Sequence, residues 1–290
     1  MNFDDGVKHF TNPETQVLSE ILYDVFNINS KQFEFLLKLG AIYVNNERQS
    51  KDSWIPESSL LRIHTTPKRY KTDYHWNSLV VFENDFCLVL NKPSGIPSHP
   101  TADNALENAL TQMSLTRKLP LFVTHRLDTL TSGLIVYGKK QSFVKSFNIQ
   151  LQERTIKKNY VALAETTEKL PSKLTHYMDP SPGTPKKLSD TPIEGWAICE
   201  LEILEQKEIS PTTSWMKINL LTGRTHQIRA QLSHVHASIV GDSTYGSKTS
   251  YKENAIALRS FEIEFNCNGE RLKFTNMENS KNSYCIYLAK

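Results

Sequence analysis

The stretch HRLDTLTSGLIVYGKK, His125–Lys140, decides how this chain is read. Its middle, GLIVYG, is a short apolar run of β-branched and aromatic residues bounded by glycines, the composition of a buried strand. The residues before it place a basic pair (His125, Arg126), one carboxylate (Asp128) and hydroxyls at Thr129, Thr131 and Ser132 in the segment that enters the strand. An aspartate in such a loop commonly binds its own backbone or nearby hydroxyls. It can equally be a nucleophile or an acid/base group, held by the loop and kept ionised by a cation. The stretch alone leaves both open.

Working outward, FCLVLNKPSG (stopped by Pro93 and Gly95) and KNYVALAE are further short apolar runs with the length of buried strands. DNALENALTQM and SFVKSFNIQLQ have helical spacing. SWMKINLLTG alternates Met216, Ile218 and Leu220, turns at Thr222-Gly223, and enters a helix THQIRAQL that Thr225 can cap. Strands and helices mixed without regular βαβ alternation predict an α+β domain over residues 77–290, with a mixed, largely antiparallel sheet flanked by helices. Residues 1–76 read as a separate small unit. PETQVLSEILYDVF predicts a helix from Pro13, SKQFEFLLKLG a second one capped by Ser30 and stopped by Gly40, and AIYVNNERQ a hairpin turning at Asn45-Asn46. The basic segment PKRYKTDYHW, 67–76, looks like a linker or arm.

At 290 residues the chain can bury a substantial core, which excludes a disordered or fibrous protein. Its 34 Lys/Arg against 31 Asp/Glu permit a nucleic-acid partner without demanding one. Nine of those bases and ten of those acids fall in residues 1–76, so any electrostatic footprint belongs to the larger part. Cys87, Cys199, Cys267 and Cys285 form no CxxC pair and read as buried thiols. No run approaches the roughly 18 apolar residues of a bilayer span, and the N-terminus lacks signal-peptide order. A cytoplasmic protein, monomeric and without a membrane partner, is the expectation.

Two more clusters carry candidate chemistry. LLTGRTHQIRAQL offers Arg224 at a turn and Arg229 on the following helix, beside the apolar Ile228, where a guanidinium could form a bidentate pair with a buried carboxylate. RTIKKNYVAL offers Arg154, Lys157 and Lys158 for phosphates, and Tyr160 as a ring for stacking. His234 and His236 form an H-x-H pair without a nearby third ligand, so no metal is expected.

These residues carry a resemblance. HRLDTLTSGLIVYGKK resembles the HRLD-x-x-TSGL signature of the RluA family of RNA pseudouridine synthases. VLNKPSGIPSHP, RTIKKNYVAL and LTGRTHQIRAQL, followed by IVGDSTYG, match its other motifs in order over roughly residues 80–260. Residues 1–76 are similar to an S4 RNA-binding domain. The resemblance implies isomerisation of uridine to pseudouridine in RNA, ribosomal RNA first and transfer RNA next, with no metal or redox cofactor. Asp128 would be the nucleophile, Arg229 its ion-pair partner, and Tyr160 would stack on the flipped base and help remove the C5 proton. Substrate contacts would come from His125, Arg126, Thr131, Lys158, Arg224 and Ile228, with Arg126 entering the vacated stack and Lys139, Lys140, Lys157 and Lys158 meeting phosphates. The competing reading is a noncatalytic RNA-binding protein that keeps the fold, against which stand the three intact residues Asp128, Tyr160 and Arg229. The chain departs from the family pattern at Gln231, commonly His, and at His236-Ala237-Ser238, commonly GHP, so substrate choice or the local fold is expected to differ there.

Overall fold

The computed structural model describes residues 6–276. Cys285 lies outside them, while Cys87, Cys199 and Cys267 are buried free thiols. The chain forms two compact units. Residues up to Tyr74 group with Ile96–Lys118, and His75–Gly95 group with the chain from Leu119 onward.

In the first unit β1 (Val7–Thr11), β2 (Gln16–Val17), α1 (Leu18–Phe26), α2 (Ser30–Leu39), β3 (Ile42–Val44), β4 (Glu47–Arg48), β5 (Trp54–Ile55) and β6 (Leu60–His64) precede α3 (Ala109–Arg117). The main sheet has the order β1-β6-β3-β4. The first helix begins at Leu18, not near Pro13, because Gln16 and Val17 pair with Ile55 and Trp54 as a short ribbon. The cap of α2 is Asn29, one residue before the expected Ser30. Its side chain accepts the Gln32 N–H at 3.0 Å while the Gln32 side chain accepts the Asn29 N–H, a capping box. Asn45 and Asn46, at φ 49° and 67°, make the tight turn between β3 and β4. Leu18, Ile21, Phe33, Leu36, Leu61 and Ile63 anchor the core of this unit.

A single cut near residue 76 does not describe the division. Arg48 donates to the Thr101 carbonyl at 2.7 Å, Tyr43 Oη to that of Ala102 at 2.8 Å, and Arg69 forks onto Glu107. These bonds tie residues 96–118 into the first unit. Within them the helix starts only at Ala109, since Asn104 holds the Leu106 and Glu107 N–H groups and Asn108 caps Thr111.

The second unit contains β7 (Val80–Glu83), β8 (Cys87–Lys92), β9 (Phe122–Val123), β10 (Ser132–Gly138), α4 (Gln141–Gln152), β11 (Lys157–Ala164), β12 (Lys173–Met178), β13 (Leu188–Ser189), β14 (Ala197–Ser210), β15 (Thr213–Leu220), α5 (Gln227–His234), β16 (Leu258–Cys267) and β17 (Glu270–Thr275). One sheet runs β13-β12-β14-β15-β11-β16-β10-β8-β7, with β9 on β10 and β17 on β16. Its described pairings are antiparallel except β10 with β16, which run parallel over Ser132–Gly133. This is the expected α+β arrangement. Helix α4 lays Phe143 and Phe147 on Val136, Ile263 and Phe265, each such side chain worth about 1.5–3 kcal/mol on burial. No described helix is long and apolar enough to cross a membrane.

Candidate active site

Asp128 lies in the loop between β9 and β10, and three elements hold that loop. The Thr129 carbonyl accepts the Gly95 N–H at 2.8 Å and the Lys92 ammonium at 3.4 Å, while the Leu130 carbonyl accepts the Ile256 N–H at 3.3 Å. A turn closes where the Thr131 N–H donates to the Asp128 carbonyl at 3.0 Å. Gly133 then takes φ 111°, and a Cβ there would land on the Ser260 carbonyl. Only glycine lets β10 run this close to β16.

Arg229 comes to this loop from α5, but its fork belongs to another acid. Nε and Nη2 donate to the two Asp242 oxygens at 2.6 and 2.9 Å, and Nη1 alone reaches Asp128 Oδ2 at 3.3 Å. The expected bidentate Arg229–Asp128 pair is thus replaced by a buried Arg229–Asp242 pair, with Asp242 1% and Arg229 4% exposed. Geometry accounts for the difference. The fully buried acid takes the Nε/Nη2 edge of the planar guanidinium, which leaves Nη1 toward Asp128. The side chain of Asp128 stays 22% exposed and receives the single remaining donor.

Further groups surround the Asp128 carboxylate. Tyr160, on β11, follows a register irregularity against β16 and is buried. Burial first, and Asp128 second, push its phenol up, while the Ser260 hydroxyl makes hydrogen-bond contact with it. Lys92 at the end of β8 is wholly buried; burial lowers its ammonium to about 7 against the opposing pull of Asp128, and it donates to the Pro93 carbonyl at 2.8 Å. His226 Nε2 stands 4.0 Å from Asp128 Oδ2. His226 Nδ1 meets Tyr245 Oη at 3.2 Å, and the guanidinium carbon of Arg229 lies 4.9 Å from the Tyr245 ring centre. Lys92, His226, Asp242 and Tyr245 were not singled out by the sequence reading.

The remaining sequence candidates divide. His125 turns into the fold: its Nε2 accepts the Val136 N–H at 3.1 Å, its ring stacks on Phe147, and burial, with Lys158 nearby, lowers it to about 3. It is neutral and shapes the loop. Ile228 is buried, as is Thr131, whose Oγ1 has no hydrogen-bond partner among the described residues. Arg126 and Arg224 are exposed, Arg126 donating to Thr225 Oγ1 at 3.3 Å. Lys158 is half-buried, its ammonium lowered to about 8 by burial. Three of the expected phosphate ligands already face acids: Lys139 pairs with Glu83 at 2.9 Å, Arg154 with Glu200 at 2.8 Å, and Lys157 approaches Glu264 at 3.9 Å.

Residues 86–234 match the family model described as RNA pseudouridylate synthase. The chain belongs to the RNA pseudouridylate synthase family. Among relatives of known name, the chain is 35% identical over 209 residues to the chloroplastic RNA pseudouridine synthase 6 of Oryza sativa, a match covering 64% of this chain and 44% of that one. It therefore spans less than half the length of that relative. To the ribosomal large subunit pseudouridine synthase D of Neisseria meningitidis it is 28% identical over 277 residues, covering 91% of this chain and 72% of the relative. The solved structure of human RNA pseudouridylate synthase domain containing 4 shares the fold: 17% identity, a TM-score of 0.55, and coverage of 69% of this chain and 88% of that one.

Gln231, where the sequence was expected to depart from the family pattern, has a defined place in the structure. The Gln227 amide oxygen accepts the Thr222 hydroxyl (2.8 Å) and the Arg224 N–H (3.0 Å), so its nitrogen donates to Gln231 Oε1 at 2.9 Å. The Gln231 amide nitrogen then faces the Leu174 and Cys199 carbonyls and His176 Nδ1 at 3.3, 3.2 and 3.0 Å. A buried chain of amides thus runs from the Arg224 turn to His176. His176, Asp190 and His234 bring their ligand atoms within 4.8 Å of one another, the spacing of a metal site. They fit a metal poorly. An amide nitrogen has no lone pair to accept a proton, so His176 Nδ1 is the acceptor and the neutral ring carries its hydrogen on Nε2, the atom that a metal would need. His234 binds Asp190 at 2.9 Å. Thr225 does not cap α5; the cap position is His226, at φ 58°.

Proposed function

We propose that this chain is an RNA pseudouridine synthase that isomerises uridine in structured RNA, with ribosomal RNA as substrate and transfer RNA as the alternative. The observation that carries the reading is one carboxylate, Asp128, partly open to solvent and held through a single oxygen by an arginine whose charge a second, buried acid already balances. The name of the Neisseria relative supports the ribosomal choice.

A stacked uridine is out of reach, so it must flip out, at about a few kcal/mol. The exposed Arg126 beside Asp128 suits the space left behind, and Tyr160 offers its ring to the extruded uracil. Oδ2 of Asp128 is engaged by Arg229, and Oδ1 receives no hydrogen bond among the described residues, so attack on the nucleoside proceeds from Oδ1. The N-glycosidic bond breaks, uracil turns, C5 joins the ribose as the bond to Asp128 breaks, and the C5 proton departs with help from the Tyr160 hydroxyl while N1 takes one up. Lys158 and Arg224 bind phosphates. Burial alone lowers the Lys158 ammonium to about 8, and a bound phosphate would favour its charged form. The first unit adds RNA contacts of its own as an S4-like module.

Pseudouridine mapping of total RNA from cells with and without the protein tests this, with wild type and Asp128→Asn added back. Loss of modification at one or a few uridines, restored by wild type alone, is expected. An unchanged map leaves the noncatalytic RNA-binding reading in its place.

A further inference from the structure

Two side chains approach Asp128 Oδ2, Arg229 at 3.3 Å and His226 at 4.0 Å, and one residue contacts both. Tyr245 places its ring under the Arg229 guanidinium and its hydroxyl against His226 Nδ1. That hydroxyl accepts the backbone N–H of Lys186 at 3.0 Å. A backbone N–H can only donate, and with that bond taken the Tyr245 oxygen can give its one phenolic hydrogen to His226 Nδ1. In that arrangement neutral His226 carries its hydrogen on Nε2, the nitrogen that faces Asp128 at 4.0 Å. The backbone of His226 sits at φ 58°, a conformation uncommon for a residue with a side chain, at the first step of α5. Such departures cluster where a side chain must be aimed, and here the aimed ring lies between Tyr245 and Asp128. The His226 side chain caps no helix N–H.

We propose that His226 is a positioning residue for Asp128: its Nε2–H, fixed in that tautomer by Tyr245, closes on Oδ2 beside Arg229 and holds the carboxylate so that Oδ1 is presented to the nucleoside. This rests on the reading of the chain as a pseudouridine synthase. At 4.0 Å the contact is too long for a hydrogen bond, and such contacts tighten when substrate displaces water from a site. Burial keeps the imidazole below its ordinary range, with Arg229 and Lys186 acting in the same direction and Asp128 and Asp242 opposing them. Among the described residues, these four and Tyr245 are charged or titratable groups that face it. A proton added to Nδ1 at acid pH would confront the Tyr245 hydrogen and break the arrangement, so turnover should fall on the acid side as His226 charges.

The test has two independent arms. Nitrogen-15 NMR of the wild-type protein at neutral pH reads the tautomer directly: an unprotonated Nδ1 and a protonated Nε2 are expected for His226, with the preference lost in Tyr245→Phe. A protonated Nδ1 in the wild type overturns the proposal, whatever reaction the protein catalyses. In turnover with RNA, His226→Ala should lower kcat by about 10²-fold, the scale of a misplaced reacting group, with KM for RNA nearly unchanged. His226→Gln, which keeps a donor, should recover most of the loss. Equal loss in the two variants, or unchanged kcat in His226→Ala, overturns the proposal. A wild type that makes no pseudouridine on any RNA instead removes the functional reading, while the NMR arm still decides the tautomer.

Discussion

Asp242 is the residue whose removal most directly probes how the site is built. Asp242→Asn keeps the shape and one acceptor oxygen but deletes the charge that faces Arg229 Nε and Nη2 at 2.6 and 2.9 Å. With Asp242 1% and Arg229 4% exposed, water cannot substitute for the lost charge. Removing one partner of a buried ion pair costs about 3–5 kcal/mol, and the retained oxygen puts the expected loss near the lower figure, about 3 kcal/mol. For a unit of this size each kcal/mol moves Tm by roughly 2–4 °C, so the transition of the second unit should drop by about 6–12 °C. Activity should fall as well. With its fork released, the arginine is drawn toward its one remaining acid, Asp128, and swings the reacting carboxylate out of place, a displacement worth about 10²-fold in kcat. Calorimetry and single-turnover rates on the same protein check both effects. A Tm within about 1 °C of wild type together with unchanged turnover would mean that the buried pair is not what frames Asp128.

Gly133→Ala combines φ 111° with a Cβ placed on the Ser260 carbonyl, so it should unfold the second unit or lower its Tm by more than the Asp242 variant does, as circular dichroism would show; a near-native melting curve contradicts the close approach of β10 and β16. Burial lowers Lys92 from 10.5 to about 7, so unfolding takes up a proton between those values and wild-type stability rises with pH across that window. Lys92→Met lacks this term: its urea midpoint relative to wild type should be most favourable near pH 6.5 and decline toward pH 9.5, and a difference that is constant or grows with pH refutes the burial of a titrating amine. Asp128→Asn should bind RNA and melt like wild type while losing turnover, checked by gel shift, melting and product analysis; lost binding with residual turnover contradicts the nucleophile assignment.

The fold was legible where local pattern and burial agree. GLIVYG reads as a buried strand because β10 lies between two neighbours and hides both faces. Arg229 lies among apolar residues in the sequence as it does in space, so its approach to a buried acid could be anticipated. Which acid could not: Asp242 falls in IVGDSTYG, where an aspartate between glycine and serine reads as a turn residue, and only the meeting of α5 with that turn shows it holding the fork. Lys92 ends an apolar run before a proline and reads as a solvated strand end, whereas tertiary structure buries it entirely. Lys139, Arg154 and Lys157 look available because Glu83, Glu200 and Glu264 are distant in the chain and become neighbours only through packing. The return of residues 96–118 to the first unit escaped the composition because it rests on side-chain bonds to backbone carbonyls at Thr101 and Ala102. His226 escapes the sequence because Thr225 is the natural cap of the helix by residue type, and the left-handed turn that aims the imidazole comes from the fold.

The sequence separation within the charge frame has a consequence for synthesis. Asp128 and the arginine that holds it are 101 residues apart, and at about 5–20 residues per second the loop emerges roughly 5–20 s before its partner. Throughout that interval β10 also lacks the Ser260 segment against which Gly133 is seated. A nascent chain therefore carries the Asp128 loop exposed beside an unpaired apolar strand edge, and the demand on chaperones should peak after residue 138 emerges and end only when β16 arrives.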